Sequence, residues 1–471
     1  MCARLGMHLG KLLGPDLKQV LKEDPDQVRE LLDEIHPEDL ADIIADLEPD
    51  EAAELLSRMP AEDAAPIFER MEDHEQEAVV ELMPPESVAH IASEMAPDDR
   101  ADLFSVLPEA MGDAILETLE RVDPQAAEDV REIEKWPDTS AGHLMTTAYV
   151  HVDPDVSVRN AIEAVRIHAQ NHHENVYNVY ALAPGDKLVG IASLRDLLLA
   201  SPIVPLREIL TTNIISVPPM EDQEEVARRM AKYDLNVIPV IDEKGAILGV
   251  ITIDDIVDVL TQEQTEDVQK LGGVEPLDVP YFKTSFLTFI RKRGVWLLIL
   301  FVGEFFTQTA LRHYDAVMTA IHGAAYYVPL LVSAGGNSGS QSSTLVIRGM
   351  AVGEIKLRDW WRVFIRELAM GLVLGIGLAL VGFARVLMYP EQHVDFAATV
   401  GFTLVGIVVA GSTVGSMLPM ILKRIGLDPA TSSTPFIASL VDVLGIVIFV
   451  HVAKIVMAHV LAGAPPPSPW Q

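Results

Sequence analysis

Residues 435–456 read PFIASLVDVLGIVIFVHVAKIV, and the class of the whole fold turns on this stretch. It is apolar for about the 20 residues that a helix needs to cross a bilayer, yet Asp442 stands near its middle. A carboxylate at that depth costs on the order of +2.5 to +3.5 kcal/mol on insertion scales, so it faces a bundle interior or a water-filled path. The alternative is a structural salt bridge, but no Lys or Arg lies one helical turn away in the sequence. An acid placed this way invites a cation.

Working outward, the hydropathy changes character after about residue 285. Spans are expected near 290–311, 326–346, 364–388, 396–421 and 436–460. Arg291, Lys292 and Arg293 precede the first. Arg348, Lys356, Arg358, Arg362 and Arg366 lie between or flank the second and third, and Lys423 and Arg424 separate the fourth and fifth. The opposite loops offer Arg312 and Arg385. An excess of Lys and Arg marks the cytoplasmic side, which puts the N-terminal half inside and the tail GAPPPSPWQ outside. Lys454, late in the last span, can snorkel outward. Lys11 and Lys18 flank a short polar-interrupted run rather than an apolar signal core. The expectation is therefore a multi-pass protein of the cell membrane with a cytoplasmic N-terminal half.

The second span carries GGNSGSQSST at 335–344. Polar, glycine-rich backbone at membrane depth needs cover from protein or a water-filled cavity. Close packing through small residues is one reading. A path lining is the other, with Asn337 and Gln341 one helical turn apart. The fourth span, GIVVAGSTVGSMLP at 406–419, reads as a packing surface. Glu304, in LFVGEFFTQTAL, is a second intramembrane acid and fits either a packing carboxylate or a transport role.

Charge is divided as unevenly as hydropathy. The 471 residues carry a formal net charge of −34. Residues 281–471 hold 14 Lys or Arg against 9 Asp or Glu, which leaves 21 against 60 in residues 1–280. So acidic a soluble half repels nucleic acid phosphates and favours cationic partners. Cys2 is the single cysteine, which excludes a disulfide framework and a thiolate metal site and fits a reducing compartment.

Within residues 25–125, Pro37, Pro49, Pro60, Pro97 and Pro108 are each followed by acids and then by apolar residues at helical period, in places about 11–12 residues apart. Pro fits a first helical turn and acids suit its positive dipole end. The pattern predicts a small superhelix of short helices. Residues 143–200 and 207–260 are two copies of one unit, each reading as strand, Pro turn, helix, two strands joined by a Gly/Asp turn, and helix. His168, His172 and His173 share a predicted helix, and the 168/172 pair has metal-ligand spacing. No third ligand is apparent, so they read as surface histidines. Between the repeats and the membrane, DDIVDVLTQEQTEDVQKL at 254–271 forms an acidic helix carrying Asp255, Asp258, Glu263, Glu266 and Asp267 with Lys270 as its one cation. Solubility alone is served by mixed signs at i, i+4. Hard, oxygen-seeking Mg²⁺ usually takes only one or two carboxylates per site and keeps several waters, which suits acids of this kind.

The repeat, ending DEKGAILGVITIDD, resembles a pair of CBS domains. That resemblance implies adenine nucleotide binding, with Thr252 and Asp255, or Ser193 and Asp196, at the ribose; the same residues also suit helix caps. The whole order resembles the MgtE-type magnesium transporter family, most specifically through PLLVSAGGNSGSQSSTLVIRGMAVGE (329–354), LRDWWRVFIREL (357–368) and LPMILKRIGLDPATSSTPFIASLVDVLG (418–445). It implies an all-α superhelical N-domain at 1–135, an α/β CBS pair at 136–260, a connecting plug helix and linker at 254–280, and a helical domain of five transmembrane helices at 285–471. It also implies a homodimer in the lipid bilayer, with Asp442 holding hydrated Mg²⁺ and Asn337, Gln341 and Thr344 lining the pore. Asp222, Glu224, Asp234, Asp255, Asp258, Glu263, Glu266 and Asp267 match the family's regulatory Mg²⁺-binding acids. Thr434 departs from the pattern, since some members carry an amide there, and Glu304 has no family role to inherit. The expected function is Mg²⁺ conduction into the cytoplasm with closure by bound Mg²⁺. The alternatives are a broader divalent transporter for Mn²⁺ or Co²⁺ regulated by ATP or a related nucleotide, and a nucleotide-sensing membrane enzyme. No nucleophile–His–acid set or P-loop appears to serve the last of these.

Overall fold

The computed structural model describes residues 35–171, 176–277, 279–389, 393–431 and 434–461. Cys2, Lys11, Lys18, His172, His173 and the C-terminal tail lie outside the described residues. The chain forms two compact units, Met1–Thr261 and Gln262–Gln471.

Eight short helices open the described part of the first unit: α1 (Pro37–Ala45), α2 (Pro49–Arg58), α3 (Ala61–Phe68), α4 (Asp73–Val80), α5 (Pro85–Glu94), α6 (Pro97–Val106), α7 (Glu109–Val122) and α8 (Pro124–Ile133). Proline starts α1, α2, α5, α6 and α8, where its missing N–H costs nothing. Pro60 and Pro108 sit one residue earlier, before α3 and α7. Each helix packs on the next but one, α1 on α3, α2 on α4, and so on to α6 on α8. That regular offset is the expected superhelix. One apolar core runs through it, with Leu56, Phe68, Leu103 and Leu119 fully buried. Arg100 of α6 is buried as well, but its guanidinium donates to the carbonyls of Ala92, Met95 and Ala126 and lies 3.6 Å from the Asp129 carboxylate, so its charge is met.

The first repeat contains β1 (His151–Val152), α9 (Val158–Asn171), β2 (Asn178–Ala183), β3 (Lys187–Ser193) and α10 (Leu194–Leu199). β1 pairs parallel with β2, and β2 antiparallel with β3. The second contains α11 (Gln223–Tyr233), β4 (Val237–Ile241), β5 (Ile247–Thr252) and α12 (Ile253–Leu271), with β4 and β5 antiparallel. The strand expected at its head is reduced to a single bridge, Val217 with Val240. Pro218 and Pro219 follow at once and remove two ladder donors. The two copies meet at their hairpin tips, where Leu188 N–H donates to Gly245 and Ile247 N–H to Asp186. Asp186 and Gly245 take positive φ there, 56° and 85°. Tyr180, Val237, Ile247 and Val250 are buried in one shared cluster.

The second unit is helical: α13 (Phe286–His313), α14 (Asp315–Ala320), α15 (Ala324–Ala351), α16 (Trp360–Leu387), α17 (Val394–Arg424), α18 (Thr434–Val456) and α19 (Ala458–Leu461). Among the described residues, four segments are long and apolar enough to cross a membrane: α13, Leu357–Leu387 containing α16, α17 and α18. The second expected span, α15, has 28 residues, about 42 Å at the helical rise, but is not among them. Its serines, glycines, Asn337 and Gln341 set it apart in composition.

α17 is the hub and packs against α15, α16 and α18. Small residues decide how close α15 comes. A Cβ on Gly411 would lie 2.3 Å from the carbonyl oxygen of Gly335, and one on Gly415 only 2.0 Å from that of Gly339. Backbone touches backbone at both steps, as small-xxx-small spacing allows. Ser338 and Ser412 share a 2.7 Å hydrogen bond beside this contact. Gly415→Val is expected to lower stability by about 1–3 kcal/mol, as overpacking of a filled contact does. Gly377→Val, where a Cβ meets nothing within 4 Å, should be near neutral. Thermal unfolding of the two variants in detergent checks this contrast.

Candidate permeation path and regulatory acids

α15 has two faces. Gly335, Gly336, Ser338, Gly339, Ser342 and Ser343 are buried, while Asn337, Gln341 and Thr344 are exposed. Spacings of four and three residues put the exposed amides and hydroxyl on one side of the helix. The two sequence readings of this span therefore apply to opposite faces, small residues against α17 and α18 and a polar stripe away from them. Thr344 Oγ1 donates back to the Ser340 carbonyl at 3.0 Å. Thr434, at the start of α18, is exposed, and its carbonyl accepts from Ser340 Oγ at 3.5 Å.

Asp442 lies half-buried on α18. Its neighbour Val441 is buried against Gly335, and Gly445 approaches Val332. α18 is therefore seated on α15 immediately to either side of the acid. One turn earlier Ser439 Oγ donates to Glu304 Oε1 of α13 at 3.0 Å. Glu304 lies within electrostatic reach of Asp442. The two intramembrane acids found in the sequence are thus neighbours in space.

Glu367 is the site that sequence reading passed over. It is 7% exposed on α16 and accepts from Ser342 Oγ at 2.6 Å. The signal was available, since Glu367 is an acid inside an expected span and obeys the logic applied to Asp442.

The soluble acids have defined local partners. Asp222 caps α11 and accepts from the Glu224 amide at 3.0 Å. Glu224 pairs with Arg228. Asp234 ends α11 in the left-handed region at φ 51°. Thr252 Oγ1 donates to Asp255 Oδ2 at 2.7 Å. Burial pushes the Asp255 carboxyl up to about 7 against the Thr252 bond, with Asp254 and Asp102 adding to the rise. Loss of solvation, then Asp254, raises Asp258. Asp102, on α6, also acts on Asp73, whose carboxyl burial raises first. So Asp102 of the helical array lies within electrostatic reach of Asp255 in the second repeat, a long-range influence that no sequence pattern announced. His143 Nε2 lies 3.1 Å from Asp102, a bond that raises the imidazole above its ordinary value. Farther along α12, Glu266 pairs with Lys270, and Glu263 and Asp267 share its acidic stretch. Among the described residues, no three His, Cys, Asp or Glu side chains form a ready metal cluster.

Ser193 and Asp196 form a capping box on α10, Ser193 Oγ donating to Asp196 Oδ2 at 2.6 Å and accepting from its amide at 3.1 Å. Thr252 lines a cavity of about 20 Å³ with Tyr149, Tyr177, Tyr180 and His168, and Ser193 does not border it. That volume holds a water and is far below a ligand pocket.

Comparison with known proteins gives consistent matches along the chain. The MgtE family, described as a divalent cation transporter, matches residues 328–452. The MgtE intracellular N domain matches 35–139, and CBS domains match 141–202 and 206–262. The magnesium transporter MgtE of Thermus thermophilus is 39% identical over 339 residues, 72% of this chain and 75% of that one. The magnesium transporter MgtE of Enterococcus faecalis is 29% identical over 337 residues, 71% and 73% of the two chains. A crystal structure of the soluble part of a magnesium transporter superposes with a TM-score of 0.50 at 29% identity, covering 55% of this chain and 99% of that one.

The raised Asp255 carboxyl sets a pH dependence. A group at about 7 in the fold and 3.8 when unfolded binds its proton more tightly when folded, so stability falls as pH rises between these values. His143, raised in the fold, acts in the same direction: its contribution is full below its unfolded value and lost as pH climbs through the folded one. Asp255→Asn keeps an acceptor for Thr252 and removes the charge. In Mg²⁺-free buffer at pH 8 the variant is expected to unfold a few degrees above wild type, on the order of 1 kcal/mol or more. The gap should narrow as pH falls below the folded value and close towards pH 4. Thermal unfolding of the full-length protein at the two pH values measures it.

Proposed function

The chain belongs to the MgtE family of divalent cation transporters, and from that membership we propose a magnesium transporter that works as a channel-like homodimer of five-span subunits. Family membership also decides between transport and the nucleotide-sensing membrane enzyme, in favour of transport. The observation that carries the reading is the exposed stripe Asn337, Gln341, Thr344 on α15 together with half-buried Asp442 on α18, the helix packed against it, within an apolar helical bundle.

Hydrocarbon gives such a stripe no partners, so it needs protein or water over it. A second copy turned about a two-fold axis brings the same surface against itself. It encloses a water-filled path between paired polar faces. α15 then crosses the bilayer as the fifth span, its polar run turned to the path and its small residues to α17. Paired Asp442 carboxylates would hold a hydrated Mg²⁺, which keeps most of its waters and needs only one or two carboxylates. A Ca²⁺-type site needs six to eight oxygens, more than these side chains supply. The basic segments around Arg291, Arg358, Arg362 and Lys423 support an orientation with the acidic half in the cytoplasm.

Regulation follows from acids that act on one another. Asp102 of the helical array acts electrostatically on Asp255 of the repeats, and α12 carries Asp258, Glu263, Glu266 and Asp267 farther along its length. Asp222, Glu224 and Asp234 belong to the same acidic half. Mg²⁺ shared between such groups relieves their repulsion and favours a compact, closed arrangement, with α12 as the plug. When Mg²⁺ falls, the repulsion returns and opening is favoured. The ion shifts this equilibrium only by its differential affinity for the two arrangements. An adenine nucleotide acting through the repeats would enter beside Thr252, and its cavity would have to widen well beyond about 20 Å³.

Asp442→Ala is expected to lower Mg²⁺ uptake into proteoliposomes at least tenfold while leaving folding intact. Uptake equal to wild type would overturn the path assignment. Neutralising Glu263, Glu266 and Asp267 together is expected to shift inhibition by internal Mg²⁺ to higher concentration. Superimposable inhibition curves would count against the plug.

A further inference from the structure

α12 contains six acids, Asp254, Asp255, Asp258, Glu263, Glu266 and Asp267, and one cation, Lys270, in its last turn. Lys270 Nζ lies 2.7 Å from Asp428 Oδ2, a residue 158 positions away in the loop between α17 and α18, and pairs at the same time with Glu266. One ammonium therefore bridges two carboxylates. Neither side of the contact is loose. Asp428 is held by its own loop, accepting from the Ala430 amide at 2.8 Å through Oδ1, while its carbonyl accepts from Thr431 Oγ1 at 2.6 Å. Beyond α12, Gln269 Oε1 accepts from the Leu277 amide at 2.7 Å, and Lys292 of α13 donates to the Pro276 carbonyl. Asp428 precedes α18 by only six residues, and α18 carries Asp442.

We propose that Lys270 is a tethered cation that latches the end of α12 to the α17–α18 loop, holding the closed arrangement independently of Mg²⁺. The inference rests on the gating reading above and adds a component to it. A divalent ion contributes to closure only at concentrations where it binds. An ammonium on the same helix contributes at every concentration. Closure then has a fixed part set by Lys270, Glu266 and Asp428, and a variable part set by the ion. Lys270 is a positioning residue in this scheme and touches no permeating ion.

The test is Mg²⁺ uptake by full-length protein in proteoliposomes with internal Mg²⁺ stepped from zero to saturating inhibition, for wild type, Lys270→Gln and Asp428→Asn. All three bonded groups are partly exposed, with side-chain exposures of 24% to 37%, so the expected effect is that of a partly screened pair. Each variant should show about a two- to fivefold higher uptake at zero internal Mg²⁺, while saturating Mg²⁺ still closes it. Exchange of the charges in Lys270→Glu/Asp428→Lys should restore wild-type uptake at zero Mg²⁺, which a purely structural role for either side chain does not predict. Unchanged uptake at zero Mg²⁺ in both single variants, or an exchange variant that stays as open as they are, would overturn the latch. Carbodiimide coupling in Mg²⁺-free buffer supplies an arm that needs no transport. An isopeptide between Lys270 and Asp428, lost in Asp428→Asn, supports the contact, and its absence from wild type refutes it. A wild type that forms the isopeptide but takes up no Mg²⁺ would refute the transport reading instead.

Discussion

Hydrocarbon offers a polar group neither a donor nor an acceptor, and the membrane half of this chain is arranged around that deficit. α15 answers it on two sides by different means. Its buried side is made of glycine and serine, so α17 can approach until backbone meets backbone at Gly335–Gly411 and Gly339–Gly415. Ser338 and Ser342 find partners in Ser412 and Glu367. The close approach also fixes the rotation of the helix. With the glycines turned inward, Asn337, Gln341 and Thr344 have to point away from the packed bundle. The polar stripe is therefore a geometric consequence of the glycine contact, and the cover it needs follows from the chemistry of its side chains.

How much of this was legible in the sequence depended on whether the signal was local. Asp442 and the run at 335–344 violate hydropathy on the spot, and the violation survives into the structure as a half-buried acid on α18 and an exposed stripe on α15. The proline-headed helices were equally plain, because Pro and first-turn acids act within one turn. Glu367 carried a local signal too, an acid inside an expected span that was not read as one. The missing strand of the second repeat shows the limit of repeat arithmetic, since Pro218 and Pro219 cancelled a pattern that the first copy supported. Asp102's influence on Asp255 and the Lys270–Asp428 contact span long sequence separations. No period or motif marks them, and only the packing of helix on helix brings them together.

The two halves of the chain handle charge by opposite rules. In the membrane unit the intramembrane acids are few, and Glu304 and Glu367 each accept from a serine on another helix. In the soluble unit acids are abundant, and some face each other. Burial already favours the protonated form of Asp255, and Asp254 and Asp102 add to that preference. A fold that keeps such a group where apolar residues would be more stable retains a dependence on whatever neutralises it. A proton can do so near pH 7, and a divalent cation can do so at any pH where the carboxylates are charged.

This choice of neutraliser separates Lys270 from the other acids' partners. The stabilisation from a diffusible ion grows as the logarithm of its concentration above Kd and vanishes below it. A lysine in the chain has no such dependence. Where carboxylates influence one another without a lysine between them, as Asp102 and Asp255 do, the proposed gating leaves their balance to the ion. Where they meet across one, as Glu266 and Asp428 do, it is set once by the sequence. In the proposed scheme the fixed cation sits in the last turn of α12 and Asp254 and Asp255 in its first, so the ion would act at one end of the helix while Lys270 sets a constant bias at the other.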